Sequence, residues 1–107
     1  MADKIKVIIK RPDEPVGHVA TINNTLERFQ MTVKGYIEAV PLSRNSVIIC
    51  NENGKINWLD KNFKFGIPPF NDIIYGTVII CGTEGEEFAD VPFDLKLWEI
   101  LLKEWGN

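Results

Sequence analysis

Two short runs of β-branched residues constrain this chain more than any other feature of its sequence. They read Val47-Ile48-Ile49-Cys50 and Val78-Ile79-Ile80-Cys81. A continuous apolar run of this length, rich in Val and Ile, is typical of a strand inside a sheet. Each run ends in a cysteine, and a buried thiol packs as a small hydrophobic group. The sequence therefore predicts a sheet whose strands end in buried, reduced cysteines.

Length and charge narrow the class of protein. A chain of 107 residues with 45% hydrophobic and 25% charged residues has the composition of one globular domain, residues 1–107. Its net charge of -3 makes nucleic acid an unfavourable partner. It has no signal-peptide pattern and no apolar run long enough to span a bilayer, so we expect no membrane association and a cytoplasmic location.

The first third of the chain predicts a hairpin followed by a helix. Residues 4–10 alternate between Lys and apolar side chains, although Ile8 adds an apolar group to the Lys face, and residues 18–22 can pair back as a second strand. Asn24 with Glu27 forms a helix-start pattern, and Gly35 stands where a left-handed cap is wanted.

The remaining two thirds predict more strands and a second helix. We expect a strand after Gly35, a turn at residues 43–45, and a second turn at residues 51–54 that leads into a return strand at residues 55–59. Beyond these the pattern predicts the following elements in order: a structured loop (60–71), one strand interrupted at Gly76 (72–81), a mobile acidic connection (82–90) and a helix (92–105).

Together these elements predict an α+β fold. We expect a mostly antiparallel sheet of five or six strands, with helices at residues 24–34 and 92–105 packed on one of its faces. The second helix has apolar residues on more than one side, since Trp98 and Leu102 lie along one stripe while Ile100 points elsewhere. Because such surface needs cover, we expect a homodimer or a larger closed oligomer.

Several short strings along this plan resemble a known family. They are Gly35-Tyr36-Ile37-Glu38, the run 49–55, Asn62 and the run 72–78. In order and spacing they resemble the family catalogued as the domain of unknown function numbered 3846, over residues 4–82. The resemblance implies a small accessory protein of a bacteriophage, plasmid or other mobile element in the cytoplasm of a bacterial host cell, and it implies no reaction.

Enzymatic motifs are missing from the sequence. There is no phosphate-binding loop, dinucleotide fingerprint or zinc-protease motif, and no cofactor or metal is expected. His18, the one histidine, lies in a predicted edge hairpin far from either cysteine. A carboxylate pair drawn from Glu38, Glu52 and Asp72 is a conceivable acid and base, but any acidic domain offers such pairs. The sequence therefore favours a non-enzymatic protein.

A binding site is easier to derive, because aromatic and amide side chains concentrate between residues 36 and 75. Flat rings beside fixed amides suit a pocket that stacks a base and reads its edges. The residues that we expect to line it are Tyr36, Glu38, Asn51, Glu52, Trp58 and Asn62. The alternative is that the aromatics are core and the asparagines are turn formers. If they bind, Asn51→Ala or Asn62→Ala should weaken binding and leave stability near wild type.

Three functions are compatible with these features of the sequence. The first is a binding protein that sequesters a host-derived small molecule, such as a nucleotide immune signal. The second is a protein-interaction module that inhibits or redirects a host enzyme through its acidic C-terminal region, residues 84–94, which would imitate a phosphate track. The third is an enzyme that uses Glu38, Glu52 or Asp72 as its acid or base.

Overall fold

The computed structural model describes residues 3–107, which form eight strands and two helices. In chain order these are β1 (Lys4–Lys10), β2 (His18–Asn23), α1 (Leu26–Val33), β3 (Ile37–Ser43), β4 (Ser46–Asn51), β5 (Lys61–Phe65), β6 (Asp72–Tyr75), β7 (Val78–Glu84), β8 (Glu87–Ala89) and α2 (Leu95–Glu104).

The strands form one large sheet and one small sheet. The large sheet has six strands in the order β2-β1-β7-β4-β3, with β8 pairing the end of β7, and the small sheet is the β5-β6 hairpin. Every pairing is antiparallel. This arrangement confirms the α+β prediction and the expected number of strands, and it adds a second sheet. The run Val78-Ile79-Ile80-Cys81 lies in the centre of the large sheet, between β1 and β4.

The two helices cover opposite faces of the large sheet, so the prediction that both pack on one face is wrong. Helix α1 buries Phe29 and Val33 against side chains that include Ile79. Helix α2 buries Trp98 and Leu102 on the other face, together with Phe63 of the small sheet. The reason is the pair of β-branched runs: consecutive apolar residues on a strand point to opposite faces, so both faces need cover.

The first helix begins and ends one residue away from the expected positions. Its N-cap is Thr25, whose hydroxyl accepts a hydrogen bond from the Arg28 amide at 3.1 Å, rather than Asn24. The left-handed residue at its end is Lys34, with φ of 64°, rather than Gly35. Gly35 is needed for another reason: a Cβ atom there would lie 2.6 Å from the Asn51 side-chain nitrogen.

The middle of the chain differs most from the sequence prediction. Residues 52–58 form consecutive turns rather than a return strand, and β5 lies inside the expected loop. The expected strand over residues 72–81 is two strands in two different sheets, separated at Gly76, whose φ is 80°. The acidic connection is not a mobile loop either, since β7 and β8 pair there as a hairpin. The turns at residues 52–58 and the β7–β8 hairpin are held by local hydrogen bonds, whereas the division at Gly76 reflects pairing with distant strands.

Helix α2 is amphipathic and short. Asp94 caps it by accepting the Leu97 amide at 2.9 Å, while Leu97 and Ile100 remain nearly half exposed. Within residues 3–107, no helix is long and apolar enough to cross a bilayer. Oligomerisation through the exposed side of α2 stays a prediction.

The two cysteines are free and buried, and they lie in opposite halves of the core, Cys50 on the α2 side and Cys81 on the α1 side. Burial raises the pKa of Cys81 to about 12 and, together with the nearby Glu38 carboxylate, raises that of Cys50 to about 11. Since the thiolate is the nucleophile, both thiols should react slowly with iodoacetamide.

We predict that Cys50 and Cys81 are alkylated slowly in native buffer at pH 8, with Cys81 slower, and rapidly in denaturant. Because both folded-state pKa values are raised, the stability that they contribute is complete below about pH 9 and is lost as the pH rises toward 11 and 12. Mass spectrometry of timed labelling reactions measures the two alkylation rates. Rapid labelling of both thiols in native buffer would contradict the packing described above.

Candidate functional site

The six residues predicted to form one pocket occupy separate places in the structure. Glu38, Asn51 and Glu52 line a cleft between the large sheet and β6. Asn62 lines a different cavity, beside Lys10. Tyr36 is 71% exposed and Trp58 is 92% exposed, and neither lines either space. The structure therefore brings three of the six residues together.

The first of these spaces is a small acidic cleft of about 190 Å³. Its lining includes the three carboxylates Glu38, Glu52 and Asp72, against one ammonium group, that of Lys55. Such a wall disfavours an anionic ligand. Among the described residues, no three His, Cys, Asp or Glu side chains are placed to hold a metal ion. The three carboxylates considered as acid or base do converge here.

Asn51 uses its amide inside the fold. Its Nδ2 donates to the carbonyls of Val33 and Lys34, each at 3.1 Å, and its Oδ1 accepts the Asn53 amide at 2.8 Å. These bonds satisfy carbonyl groups at the end of α1, which a helix cannot satisfy by itself. The residue is 6% exposed. Asn51 is thus the side chain that ties α1 to β4, and this is the reason for the glycine at position 35.

Asn62 joins the two sheets. Its Nδ2 donates to the Lys10 carbonyl at 2.8 Å and to the Gly76 carbonyl at 2.7 Å, so both of its protons are used. Its Oδ1 accepts a hydrogen bond of 2.6 Å from the Lys10 ammonium. One side chain thereby fixes the end of β1, the break between β6 and β7, and the Lys10 side chain.

Lys10 is the unusual group at this junction. It is 3% exposed, and its Nζ lies 5.7 Å from the centroid of the Phe63 ring. Apart from the Asn62 side chain, its nearest acceptor is the Asn62 carbonyl, at 3.5 Å. The ion pairs within residues 3–107 are Arg11–Glu14, His18–Glu14 and Lys103–Glu99, and Lys10 takes part in none of them. A buried lysine is ordinarily paired with a carboxylate, so this ammonium lacks its usual counter-ion.

An open cavity of about 400 Å³ lies against Lys10. We call it the Lys10 cavity; it is lined by Lys10, Pro12, Asp13, Glu14, Pro15, Asn62, Phe63 and Asn107. Burial lowers the pKa of Lys10, and the negative charges of Glu14 and Asp13 oppose that shift without cancelling it. The carboxylates of Glu14 and Asp13 are therefore near enough to interact electrostatically with the Lys10 ammonium but form no ion pair with it.

His18 stands at the edge of this region and has a structural partner. Its Nδ1 lies 2.8 Å from Glu14 Oε2, while Glu14 Oε1 accepts the Arg11 amide at 3.0 Å. Burial would raise the pKa of Glu14, but these hydrogen bonds outweigh it and the pKa lies below its ordinary value. Glu14 is thus charged and holds the turn between β1 and β2 closed.

The acidic region expected to imitate a phosphate track is only partly free. Asp90 Oδ1 accepts the Lys6 amide at 2.8 Å, and Asp94 caps α2. The exposed carboxylates that remain are those of the β7–β8 hairpin, Glu84, Glu86 and Glu87. Inhibition of a host protein through this region stays a prediction.

Lys10 was not among the residues singled out from the sequence, although one signal pointed to it. Residues 4, 6, 8 and 10 share a face of β1, and Ile8 on that face indicated burial at its far end. Ile8 is indeed fully buried, and Lys10 follows it. The hydrogen bond between Lys10 and Asn62 was not predictable, because the two residues lie 52 residues apart along the chain.

The comparisons with known proteins identify a family but no activity. A family model with the description "Domain of unknown function (DUF3846)" matches residues 5–102. The match includes α2, which the resemblance seen in the sequence did not clearly cover. No match to the chain was found among curated proteins or among solved structures.

We predict that Asn51→Ala lowers the free energy of unfolding by about 1 to 3 kcal/mol, because it leaves carbonyl groups at the end of α1 without a donor. This reverses the expectation drawn from the sequence for the same variant. Urea unfolding measures the loss. Asn53→Ala is the matched control, since Asn53 is exposed in the same turn and its backbone contacts remain. Equal stability of the two variants would show that the Asn51 side chain does not hold the helix.

Proposed function

We propose that this chain, which belongs to the DUF3846 family, is a non-enzymatic binding protein that holds a small anionic molecule in the Lys10 cavity. The observation that carries the proposal is the buried Lys10 ammonium, which has no carboxylate partner in the part of the chain that the structure describes and lies against an open space. The family itself has no assigned function, so the proposal rests on this geometry.

Electrostatics favours an anion as the missing partner. Moving an ammonium out of water without a counter-ion is costly, and proteins ordinarily compensate by pairing the charge or by lowering its pKa. Here the pKa is lowered, which indicates that the chain itself does not provide full compensation. An ammonium has three donors, and Asn62 Oδ1 accepts one of them at 2.6 Å. Donor capacity therefore remains for a ligand.

The shape of the cavity also suits a ligand. Its volume of about 400 Å³ lies within the range of small-molecule sites. Two of its walls are proline rings, those of Pro12 and Pro15, and the Phe63 ring lies beneath the ammonium. Apolar rings combined with a few charged groups, here Lys10, Asp13 and Glu14, are the usual composition of a pocket that orients a small molecule.

Lys10 is also held in place, as a binding group must be. The Asn62 amide that accepts from the ammonium is itself fixed by two hydrogen bonds to backbone carbonyls. A ligand that meets a preorganised group loses less entropy on binding than one that must order a flexible lysine. The joint between the two sheets thus doubles as the support of the proposed site.

Part of the expectation from the sequence is retained and part is relocated. Asn62 belongs to the proposed site, whereas Glu38, Asn51 and Glu52 line the acidic cleft instead. Sequestration of a host-derived signal and an origin in a mobile element are proposals that the resemblance supports. Binding without catalysis fits the cavity, because its two side-chain amides, those of Asn62 and Asn107, are engaged in hydrogen bonds within the chain and its ammonium is fixed by Asn62.

We predict that Lys10→Met abolishes anion binding and keeps the fold. Sodium benzoate and sodium phosphate are titrated separately, and at least one of them should shift the amide NMR signals of residues 10, 11, 13, 14 and 62 of the wild type in a saturable way. The variant should show no saturable shift, because the methionine has no charge to offer. Loss of the buried charge and loss of a donor to Asn62 oppose one another, so we expect its stability to stay within about 1 to 2 kcal/mol of wild type.

Lys61→Met is the matched control, since Lys61 is an exposed lysine next to Asn62 in β5. It should bind the same anion as the wild type does. Binding that survives in Lys10→Met, or that both variants lose equally, would contradict the proposed function. Lys10→Arg, which keeps the charge, should retain part of the affinity and so separates loss of charge from loss of packing.

A further inference from the structure

The Lys10 cavity carries more negative than positive side chains on its wall. Asp13 and Glu14 line it together with the single ammonium of Lys10. We propose that the cavity selects singly charged organic acids, namely monocarboxylates with an apolar body, over phosphate monoesters and nucleotides. This inference rests on the proposed function and names the class of its ligand.

The first argument is that Glu14 cannot easily turn away from the cavity and that the charge of Asp13 beside it is not offset by an ion pair with any described residue. Glu14 is held by the Arg11 amide at 3.0 Å and by His18 at 2.8 Å. The Arg11 side chain approaches Glu14 at 3.8 Å but is itself 58% exposed, and such a pair is weakly coupled in water. Asp13 is exposed beside it and has no ion pair with any residue of the range 3–107. A second negative charge on a ligand would therefore meet repulsion that a single charge, placed on the ammonium, largely avoids.

The second argument is that few donors face the ligand. Both amide protons of Asn62 are donated to backbone carbonyls. Those of Asn107 are donated to the carbonyls of Lys64 and Leu102. Lys10 is left as the charged donor on the wall. A phosphate monoester carries about two negative charges and three acceptor oxygens at neutral pH, and sites that bind it commonly supply several amides or an arginine.

The third argument concerns the walls. Pro12, Pro15 and Phe63 present apolar surface around the ammonium. A ligand that ends in one carboxylate and continues as an apolar ring or chain would match both the charge and the walls. A space of about 400 Å³ accommodates such a molecule.

Three probes that share a phenyl ring test the inference: benzoate, phenyl phosphate and methyl phenyl phosphate. The last two differ in charge, since the methyl ester is a monoanion. Titrated into the full chain at pH 8 and followed by the same NMR signals, benzoate should bind about threefold to tenfold more tightly than phenyl phosphate. Methyl phenyl phosphate should bind more tightly than phenyl phosphate, because it lacks the second charge.

Variants of the rim should remove the discrimination. Asp13→Asn should raise the affinity for phenyl phosphate about twofold to threefold and change that for benzoate less. The double variant Asp13→Asn with Glu14→Gln should raise it further, and a glutamine at position 14 can still accept the Arg11 amide. Asp72→Asn is the control, since Asp72 is an exposed carboxylate that lines the acidic cleft instead. It should change neither affinity.

The outcomes separate this inference from the proposed function. Phenyl phosphate or adenosine monophosphate binding as tightly as benzoate, with binding lost in Lys10→Met, would overturn the ligand class and leave the anion site standing. If no probe binds through Lys10, the proposed function itself fails. Rim variants that leave the ratio of affinities unchanged would also overturn the inference, because the repulsion would then be absent.

Discussion

Burial of β7 on both faces is the constraint on which the rest of the structure depends. Val78, Ile79, Ile80 and Cys81 are all fully buried, and their side chains alternate between the two halves of the core. Each half therefore needs its own cover. Helix α1 supplies it on one side, while α2 and the small sheet supply it on the other. A central strand of this kind cannot exist in a two-layer fold, and this explains why the helices separate.

The small sheet is attached to this core by a polar joint as well as by packing. Phe63 and Ile74 enter the core beside Trp98, and the Phe63 ring packs edge-on against Trp98 with centroids 5.5 Å apart. Asn62 adds hydrogen bonds to β1 and to the Gly76 carbonyl. Because this joint lies at the edge of the packed region, the end of β1 meets an open space instead of more core. Lys10 occupies that place, at the border between the apolar interior and the cavity.

The joint connects stability with the proposed function. A side chain that only had to close the space beneath the small sheet could be apolar, and an apolar residue would avoid the cost of a buried charge. Lys10 instead keeps an ammonium against Phe63 and a cavity that is lined by both apolar rings and carboxylates. Proteins commonly accept such local costs at binding sites, where the ligand supplies the missing interaction. Asn51 has the same amide side chain as Asn62 but lies away from the Lys10 cavity. Its hydrogen bonds tie the end of α1 to β4, so its role is structural.

The sequence by itself determined the elements whose cause is local. Periods of two and 3.6 residues reveal the alternation of β1 and the apolar stripe of α2, and residue types reveal the β-branched runs and the turn before β4. These features were enough to predict an α+β fold with an antiparallel sheet. The tertiary structure decided what depends on distant partners. Residues 72–81 read as one strand because hydrophobic pattern does not record which sheet a residue joins, and Gly76 divides them between two sheets. Asn51 and Asn62 read as equivalent turn residues with amides available for a ligand. One caps a helix that ends 18 residues earlier and the other holds a lysine 52 residues away. A hydrogen-bond partner is selected by position in space, so the pairing of Lys10 with Asn62, and the cavity beside them, exist only in the folded chain.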